Sequence, residues 1–307
     1  MLKYLLKRMI ATIITIFIVI AITFFLMHAI PGGPFNLMNP KMTPGMIEAM
    51  NTRYHLDEPV LIQFFNYLKT LMQGDLGTSY QKLGVPVNVI LMQAFPVSEK
   101  VGTVAIVVVV FVGMGLGICS ALRKDRGIDK GITFLTTLGV SVPNFVIASM
   151  VLYFFSERIG ILPSNGLYSW KHYIGPVISL SIFSISFLTR LMATTLDNVL
   201  NQDYIRTCRA NGLPEYRVIF FHGVRNAMLP ILAYLGPTVA SILTGSFVTE
   251  KVFTIPGMGG LFINSINNRD YMVIMGTTLF YSVLVVGIIF LIDVVYMFID
   301  PRIKLEK

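Results

Sequence analysis

Residues 101–122, VGTVAIVVVVFVGMGLGICSAL, form a stretch of 22 residues without Asp, Glu, Lys or Arg. As an α-helix rising 1.5 Å per residue, the stretch extends about 33 Å, enough to cross the ~30 Å hydrocarbon core of a bilayer. Five more stretches resemble it in composition, at 9–30, 131–156, 172–189, 226–249 and 271–299. The chain is 54% hydrophobic and only 13% charged, which excludes most water-soluble domains. The sequence predicts an all-α integral membrane protein with six transmembrane helices.

Basic residues predict how these helices are oriented. Six crossings place both termini on one side, and that side carries 15 of the 24 Lys and Arg residues. Of the other 9, 5 lie in the long loop 31–100, where the positive-inside rule holds poorly. Both termini are therefore predicted to be cytoplasmic. The net charge of +8 then reflects orientation, and no nucleic acid is expected as a partner.

The predicted organisation has five parts. Residues 1–8 form a cytoplasmic N-terminus, 9–30 the first transmembrane helix and 31–100 an extracellular helical loop. Residues 101–299 hold the second to sixth helices, including a cytoplasmic segment at 197–225, and 300–307 form a cytoplasmic tail. The first helix follows Lys3, Lys7 and Arg8 and lacks an Ala-x-Ala-like exit, so we expect an uncleaved anchor.

The extracellular loop contains helix signals. In DEPVLIQFFNYLKTLMQGD, residues 57–75, Asp57 is predicted to cap a helix, Pro59 to lie in its first turn and Gly74 to end it. Apolar residues recur between them at helical spacing. We expect a small helical insertion lying on the outer end of the bundle.

Four methionines in the same loop are spaced by four residues: Met38, Met42, Met46 and Met50. On one continuous helix they would form a stripe of thioethers that could bind Cu(I). Pro40 and Pro44 interrupt that helix, which favours a packing role and no metal site.

Small residues and prolines punctuate the predicted spans. Gly113 and Gly117 are four apart, a spacing that lets helix backbones approach closely. The same spacing recurs in the fifth span, as Gly236 with Ala240 and Ser241 with Gly245. Bends are expected at four prolines: Pro143, Pro176, Pro230 and Pro237. The two cysteines, Cys119 and Cys208, are expected to be free thiols.

Catalytic and metal motifs are absent from the sequence. There is no Gly-Lys dipeptide for a phosphate-binding loop, no His-Glu-x-x-His and no Gly-x-Ser-x-Gly, and the four histidines are scattered: His28, His55, His172 and His222. The one acid within a predicted span is Asp293, which we interpret as a structural acid near the inner interface. A secondary transporter would be expected to show several such groups and an internal repeat.

One polar segment stands out between the fourth and fifth spans. Residues 203–226, DYIRTCRANGLPEYRVIFFHGVRN, contain four arginines. Asp203 is predicted to cap a short helix that Gly212 ends in a left-handed conformation, and Pro214 to begin a second helix. That second helix is predicted to present Tyr216, Ile219, Phe220 and Gly223 on one face. Periodicity alone also allows an interfacial element that binds anionic lipid.

This segment resembles the cytoplasmic coupling motif of ABC importer permeases of the peptide and nickel branch. Arg206, Thr207 and Cys208 stand where the motif has Glu-Ala-Ala, and Gly212 is its glycine. The missing glutamate and the 18 residues from Gly212 to Pro230 both fit the peptide branch. Similarity extends along the chain to the first permease subunit, in HAIPGGPF, LDEPVLIQFFNYLKTLMQGDLGTSY, SVPNFVIASMVLYFF, ILPSNG, VFTIPGMGGLFINSINNRDY and IDVVYMFIDPRI.

The resemblance implies a non-catalytic permease subunit, in the cell membrane of a prokaryote, with the six-helix type I ABC importer fold. Implied partners are a homologous second permease, two cytoplasmic ATPases that bind ATP and Mg²⁺, an extracytoplasmic peptide-binding lipoprotein and membrane lipid; the chain itself needs no cofactor. The implied cargo is oligopeptides, with dipeptides or nickel and metal chelates as alternatives. An ATPase-independent channel or a secondary transporter is the alternative of another class. The implied ATPase-coupling residues are Tyr204, Ile205, Arg206, Thr207, Cys208, Arg209, Ala210, Gly212, Leu213, Pro214, Tyr216 and Arg217.

Overall fold

The computed structural model describes residues 2–30, 33–35 and 43–299, and no β-strand occurs in these ranges beyond one isolated bridge, Thr78↔Pro86. The first six helices are α1 Leu2–Ala29, α2 Pro44–Arg53, α3 Val60–Met72, α4 Val87–Leu122, α5 Gly127–Ser141 and α6 Asn144–Val151. A π-helical segment, Leu152–Arg158, follows α6. The others are α7 Lys171–Leu200, α8 Asp203–Ala210, α9 Glu215–Arg217, a second π-helical segment Val218–Val224, α10 Arg225–Leu243, α11 Phe247–Val252, α12 Met258–Asn267 and α13 Tyr271–Ile299.

Within these ranges, five helical stretches are long and apolar enough to cross a membrane: Lys7–Ala29, Val87–Leu122, Lys171–Leu200, Glu215–Val252 and Tyr271–Ile292. The predicted third span is broken into Gly127–Ser141 and Asn144–Arg158, which meet at 103° and make a sixth span if counted together. Pro143 causes the break, because it disfavours helical backbone at the residue before it, and Val142 is accordingly extended. The second span begins at Val87, well before residue 101, and continues through Pro96.

The chain divides into two compact units. The first comprises Met1–Ser98 and Pro256–Val286. Its core joins α1, the insertion and the start of α13 through buried aromatic and aliphatic side chains, among them Ile20, Phe24, Phe35, Phe64, Tyr67, Tyr80 and Tyr271. The predicted helical insertion between the first two spans is therefore confirmed.

Details of the insertion correct one expectation and confirm another. Pro59 occupies the N-cap of α3 and no side chain caps that helix, so the predicted cap at Asp57 is wrong. Gly74 ends α3 as predicted, with φ +76° and its N–H donating to the Leu71 carbonyl at 2.9 Å. Of the methionines, Met46 and Met50 lie on α2, which begins at Pro44, while Met38 and Met42 lie outside the described residues. Over the described ranges, no group of three His, Cys, Asp or Glu could hold a metal ion.

The second unit comprises Glu99–Ile255 and Gly287–Lys307. Its core is the packing of α4, α7 and α10, through side chains that include Val101, Val109, Leu188, Met192, Leu196 and Ile231. Gly113 and Gly117 allow the predicted close approach, since a Cβ on Gly117 would lie 2.5 Å from the Met192 Cβ. Gly245 differs: it lies beyond the end of α10 with φ +82°, so it ends that helix and is not a packing position within it.

The remaining predictions concern the two cysteines and the acid in the last span. Cys119 and Cys208 are free thiols, as expected. Asp293 lies within α13, but its side chain is outside the described part of the chain, as is the tail 300–307. Its role as a structural acid stays a prediction.

Candidate functional site

The segment 203–226, called the coupling segment below, forms two helical pieces joined by a corner at residues 211–214. The first piece is α8, Asp203–Ala210. Gly212 has φ +75°, and its N–H donates to the Arg209 carbonyl at 3.0 Å, while the Leu213 N–H donates to the Cys208 carbonyl at 3.3 Å. Glycine adopts this left-handed conformation without the steric penalty of a Cβ, which explains why the chain turns here. The predicted termination at Gly212 is confirmed.

The start of α8 differs from the prediction by one residue. Gln202 occupies the N-cap and makes no side-chain cap bond, so the predicted cap at Asp203 is wrong. Asp203 is instead the first helical residue, with its carboxylate 3.5 Å from the Arg206 guanidinium. A carboxylate in the first turn still interacts favourably with the helix dipole.

Pro214 begins the second piece as its N-cap, as predicted. After α9 the backbone widens into the π-helical segment Val218–Val224 before α10 begins. This register corrects the predicted face of Tyr216, Ile219, Phe220 and Gly223. Residues five apart align in a π-helix, and the buried residues are Val218 and Gly223.

The outward side of this second piece carries aromatic rings. The Tyr216 side chain is 56% exposed and that of Phe220 is 55% exposed. The Arg217 guanidinium lies 5.8 Å from the Tyr216 ring centroid, and its Nε donates to the Tyr216 hydroxyl at 3.1 Å. A cation and an aromatic ring are thus presented together.

An ion pair bridges the corner. Arg209 donates through Nη2 and Nε to the two carboxylate oxygens of Glu215, at 2.8 and 3.2 Å. The hydrogen bond to Glu215 raises the pKa of the Arg209 guanidinium. Glu215 was not among the predicted residues, although opposite charges on either side of Gly-Leu-Pro are a usable signal for such a bridge.

Hydrogen bonds also join α8 to the start of α10. The Tyr204 hydroxyl accepts from the Asn226 amide at 2.8 Å and donates to the His222 carbonyl at 3.3 Å. Asn226 donates to the same carbonyl at 2.9 Å. The two helical pieces are therefore fixed to each other by side-chain contacts as well as by the chain itself.

Burial separates the predicted coupling residues into three groups, which are buried, half-buried and exposed. Ile205, one of the implied ATPase-coupling residues, is fully buried, so its side chain packs inside this chain and is not available to a partner. Tyr204, Cys208 and Leu213 are half-buried. The exposed group, called the corner surface below, comprises Arg206, Thr207, Arg209, Ala210, Gly212, Pro214, Tyr216 and Arg217.

Comparison with known proteins identifies the family. Residues 113–305 match the binding-protein-dependent transport system inner membrane component, and residues 1–108 match the N-terminal region described for the same transport systems. The chain belongs to this family. It is a membrane permease of the ABC importer type, as the resemblance implied.

Two relatives are similar to this permease over essentially their whole length, and one solved structure shares its fold. It is 42% identical to the dipeptide transport system permease protein DppB of Bacillus subtilis, over 100% of this chain and 99% of that protein. It is 36% identical to the oligopeptide transport system permease protein OppB of Salmonella typhimurium, over 99% of this chain and 100% of that protein. The inward-facing MetNI methionine ABC transporter shares its fold, with a TM-score of 0.56 at 13% identity over 69% of this chain and 96% of that one.

Proposed function

We propose that this permease carries short peptides into a prokaryotic cell, in a pathway formed with a homologous second permease. Support comes from relatives that match it over essentially their whole length and are named for dipeptide and oligopeptide transport. Oligopeptides are the first candidate cargo, as the name of the relative at 36% identity indicates. Dipeptides are the second candidate, because the relative at 42% identity is named for dipeptide transport. Nickel or metal chelates are a third possibility, in which the metal would travel within its chelator.

The corner surface is proposed to dock on a cytoplasmic ATPase. Helix docking needs anchors that fill a pocket and charges around them, and the corner surface offers the Tyr216 ring with Arg206, Arg209 and Arg217. In this assignment both termini and the coupling segment are cytoplasmic. ATP and Mg²⁺ are bound by the two ATPases, and a binding lipoprotein delivers peptide from the opposite side.

The left-handed backbone at Gly212 is the observation that carries this proposal. It lets α8 fold back at the corner, where the Arg209–Glu215 pair and the Tyr204–Asn226 hydrogen bond hold the two pieces together. A segment fixed in this way can transmit movement of a docked ATPase to α10 as a rigid body.

Replacing Gly212 with valine tests the proposal. A Cβ at Gly212 meets no atom within 4 Å, so the Cβ added in Gly212→Val makes no clash and the substitution acts through backbone strain of about 1–3 kcal/mol. In the assembled importer we expect the stimulation of ATPase activity by peptide-loaded binding protein to fall severalfold, together with peptide uptake.

Gly84→Val is the matched control, because Gly84 also has a positive φ, +78°, and an unobstructed Cβ position, but lies in the insertion. The control is expected to retain coupling. Unchanged stimulation and uptake in Gly212→Val, with the variant present in the membrane at the normal amount, would refute the coupling assignment.

A further inference from the structure

A polar cavity of about 610 Å³ lies within the second unit, among α4, α5 and α7. Its volume is in the range of small-molecule sites. Ten of its thirteen lining residues carry a hydroxyl group or a charge, which is unusual for a surface that faces lipid. The lining residues that matter below are Lys124, Asp129, Thr136, Thr137, Arg190 and Asp197.

Arg190 is the charged group furthest from the helix ends in this cavity. It lies ten residues before the end of α7, about 15 Å from the nearer end of that helix. The Arg190 Nε donates to the Thr136 hydroxyl at 3.3 Å, and Nη2 donates to the Thr137 hydroxyl. These contacts hold the guanidinium at that depth, away from the end of the helix.

The threonines orient Arg190 without neutralising it. Both hydroxyls donate their own protons to the Thr133 carbonyl, at 3.1 and 2.6 Å, so their lone pairs are directed to the guanidinium. A guanidinium has five N–H donors, and these two contacts use two of them. In the described part of the chain, no carboxylate pairs with Arg190.

The other charges of the cavity are already paired. The Lys124 ammonium donates to Asp197 at 2.7 Å, and this hydrogen bond raises the pKa of Lys124. Asp129 accepts from the Ser120 hydroxyl and, at 2.9 Å, from the backbone N–H of Asp125. Arg190 is therefore left as a fixed positive charge with free donors. It lies within the candidate span Lys171–Leu200, where an ionisable residue commonly marks a functional site.

We propose that this cavity borders the cargo pathway and that Arg190 binds a carboxylate of the transported peptide. The inference rests on the proposed function and adds a chemical preference to it: cargo with a free carboxyl terminus. A planar guanidinium with two adjacent donors fits a carboxylate in a bidentate geometry, which a lysine cannot reproduce. The threonine hydroxyls hold that geometry before cargo arrives.

The test compares free-acid and C-terminally amidated forms of dialanine and trialanine. The whole importer is reconstituted in vesicles with its binding protein saturated by each peptide, so that the affinity of the binding protein does not limit uptake. We expect wild type to transport the free acids about tenfold faster than the amides, as one charge-assisted hydrogen bond allows. Arg190→Gln is expected to bring that ratio close to one by slowing the free acids.

Arg123→Gln is the matched control, because it removes a positive charge after the end of α4 without altering the cavity lining. It should leave the ratio at the wild-type value. If Arg190→Gln does not assemble, Arg190→Lys and Thr137→Val keep the test decisive. Both are expected to lower the ratio severalfold, the first by losing the planar fork and the second by losing its orientation.

Three outcomes would overturn the inference. An equal ratio in wild type and in the Arg190 variants contradicts it while leaving peptide transport intact. Loss of co-purified anionic phospholipid in Arg190→Gln, with the ratio unchanged, would assign the cavity to a lipid phosphate. Absence of uptake of all four peptides by wild type would refute the proposed cargo, and the inference with it.

Discussion

At the residue scale, Asp270 shows how one buried carboxylate fastens the insertion to the membrane helices. Asp270 is 3% exposed and accepts hydrogen bonds from the Ser79 hydroxyl and from the backbone N–H groups of Tyr80 and Gln81, the last two at 3.0 and 3.3 Å. It also accepts from the Val273 N–H at 3.4 Å, at the start of α13. These contacts join residues 79–81 of the insertion to the start of α13.

Asp270→Ala is predicted to loosen the insertion. The substitution leaves buried N–H groups without acceptors, which costs about 1–3 kcal/mol for each group left unsatisfied. Limited proteolysis of the purified complex should therefore cut the loop near residues 79–81 faster than in wild type. Asp57→Ala is the control, because Asp57 is an exposed acid of the same loop that caps no helix. Equal cleavage rates for Asp270→Ala and wild type would contradict the role given to Asp270.

Single residues were predictable where the signal was local. The left-handed Gly212 and the helix start at Pro214 follow from the backbone chemistry of glycine and proline, which needs no tertiary context. The Asp270 contacts were not predictable, because 191 residues separate Asp270 from Ser79. Arg190 was missed because the predicted fourth span stopped at residue 189, although α7 continues to Leu200 and apolar residues follow Arg190 directly.

At the element scale, the packing of α4 against α7 depends on glycines. A Cβ on Gly113 would lie 2.9 Å from the Leu188 Cδ2, and one on Gly117 would lie 2.8 Å from the Thr189 carbonyl oxygen. Such close backbone approach is a main source of helix association where water supplies no driving force. The four-residue spacing predicted this contact from sequence, though it did not identify the partner helix.

Gly117→Ala is predicted to destabilise the permease by forcing α4 away from α7. The added methyl meets backbone and Met192 atoms that cannot both move, which costs about 1–3 kcal/mol. The midpoint of thermal unfolding in detergent should fall by several degrees. Gly115→Ala is the matched control, since Gly115 is on the same helix and a Cβ there meets nothing within 4 Å. The same midpoint for both variants would show that the contact does not limit stability.

The break in the third span and the π-helical segment could not be predicted from the sequence. Hydrophobic length identified six crossing stretches, but it does not distinguish a bent helix from two helices meeting at 103°. The π-helical segment Val218–Val224 changes which residues share a face, and this is why the predicted face of Tyr216 and Phe220 was wrong. A π-helical turn, with i→i+5 hydrogen bonds, has no signature in the composition, and a prediction from periodicity uses the α-helical repeat.

At the scale of the whole molecule, the insertion and the two candidate sites lie in different compact units. The first unit holds the insertion, tied down by aromatic packing and by Asp270. The second unit holds the coupling segment and the Arg190 cavity. In the proposed orientation the coupling segment lies in the cytoplasm, where we propose that the ATPases bind it.

Site-directed cross-linking tests the central claim, that the corner surface docks on the ATPase. In a chain whose two cysteines, Cys119 and Cys208, are replaced, a single cysteine is introduced at Tyr216, which is 56% exposed, and labelled with a photoactivatable maleimide. Tyr168→Cys, at an 89% exposed position predicted to lie on the opposite side of the membrane, is the control. The account predicts a product joining permease and ATPase from Tyr216→Cys and none from Tyr168→Cys. Cross-links from Tyr216→Cys to lipid alone in the assembled importer, or to the ATPase from Tyr168→Cys, would contradict it.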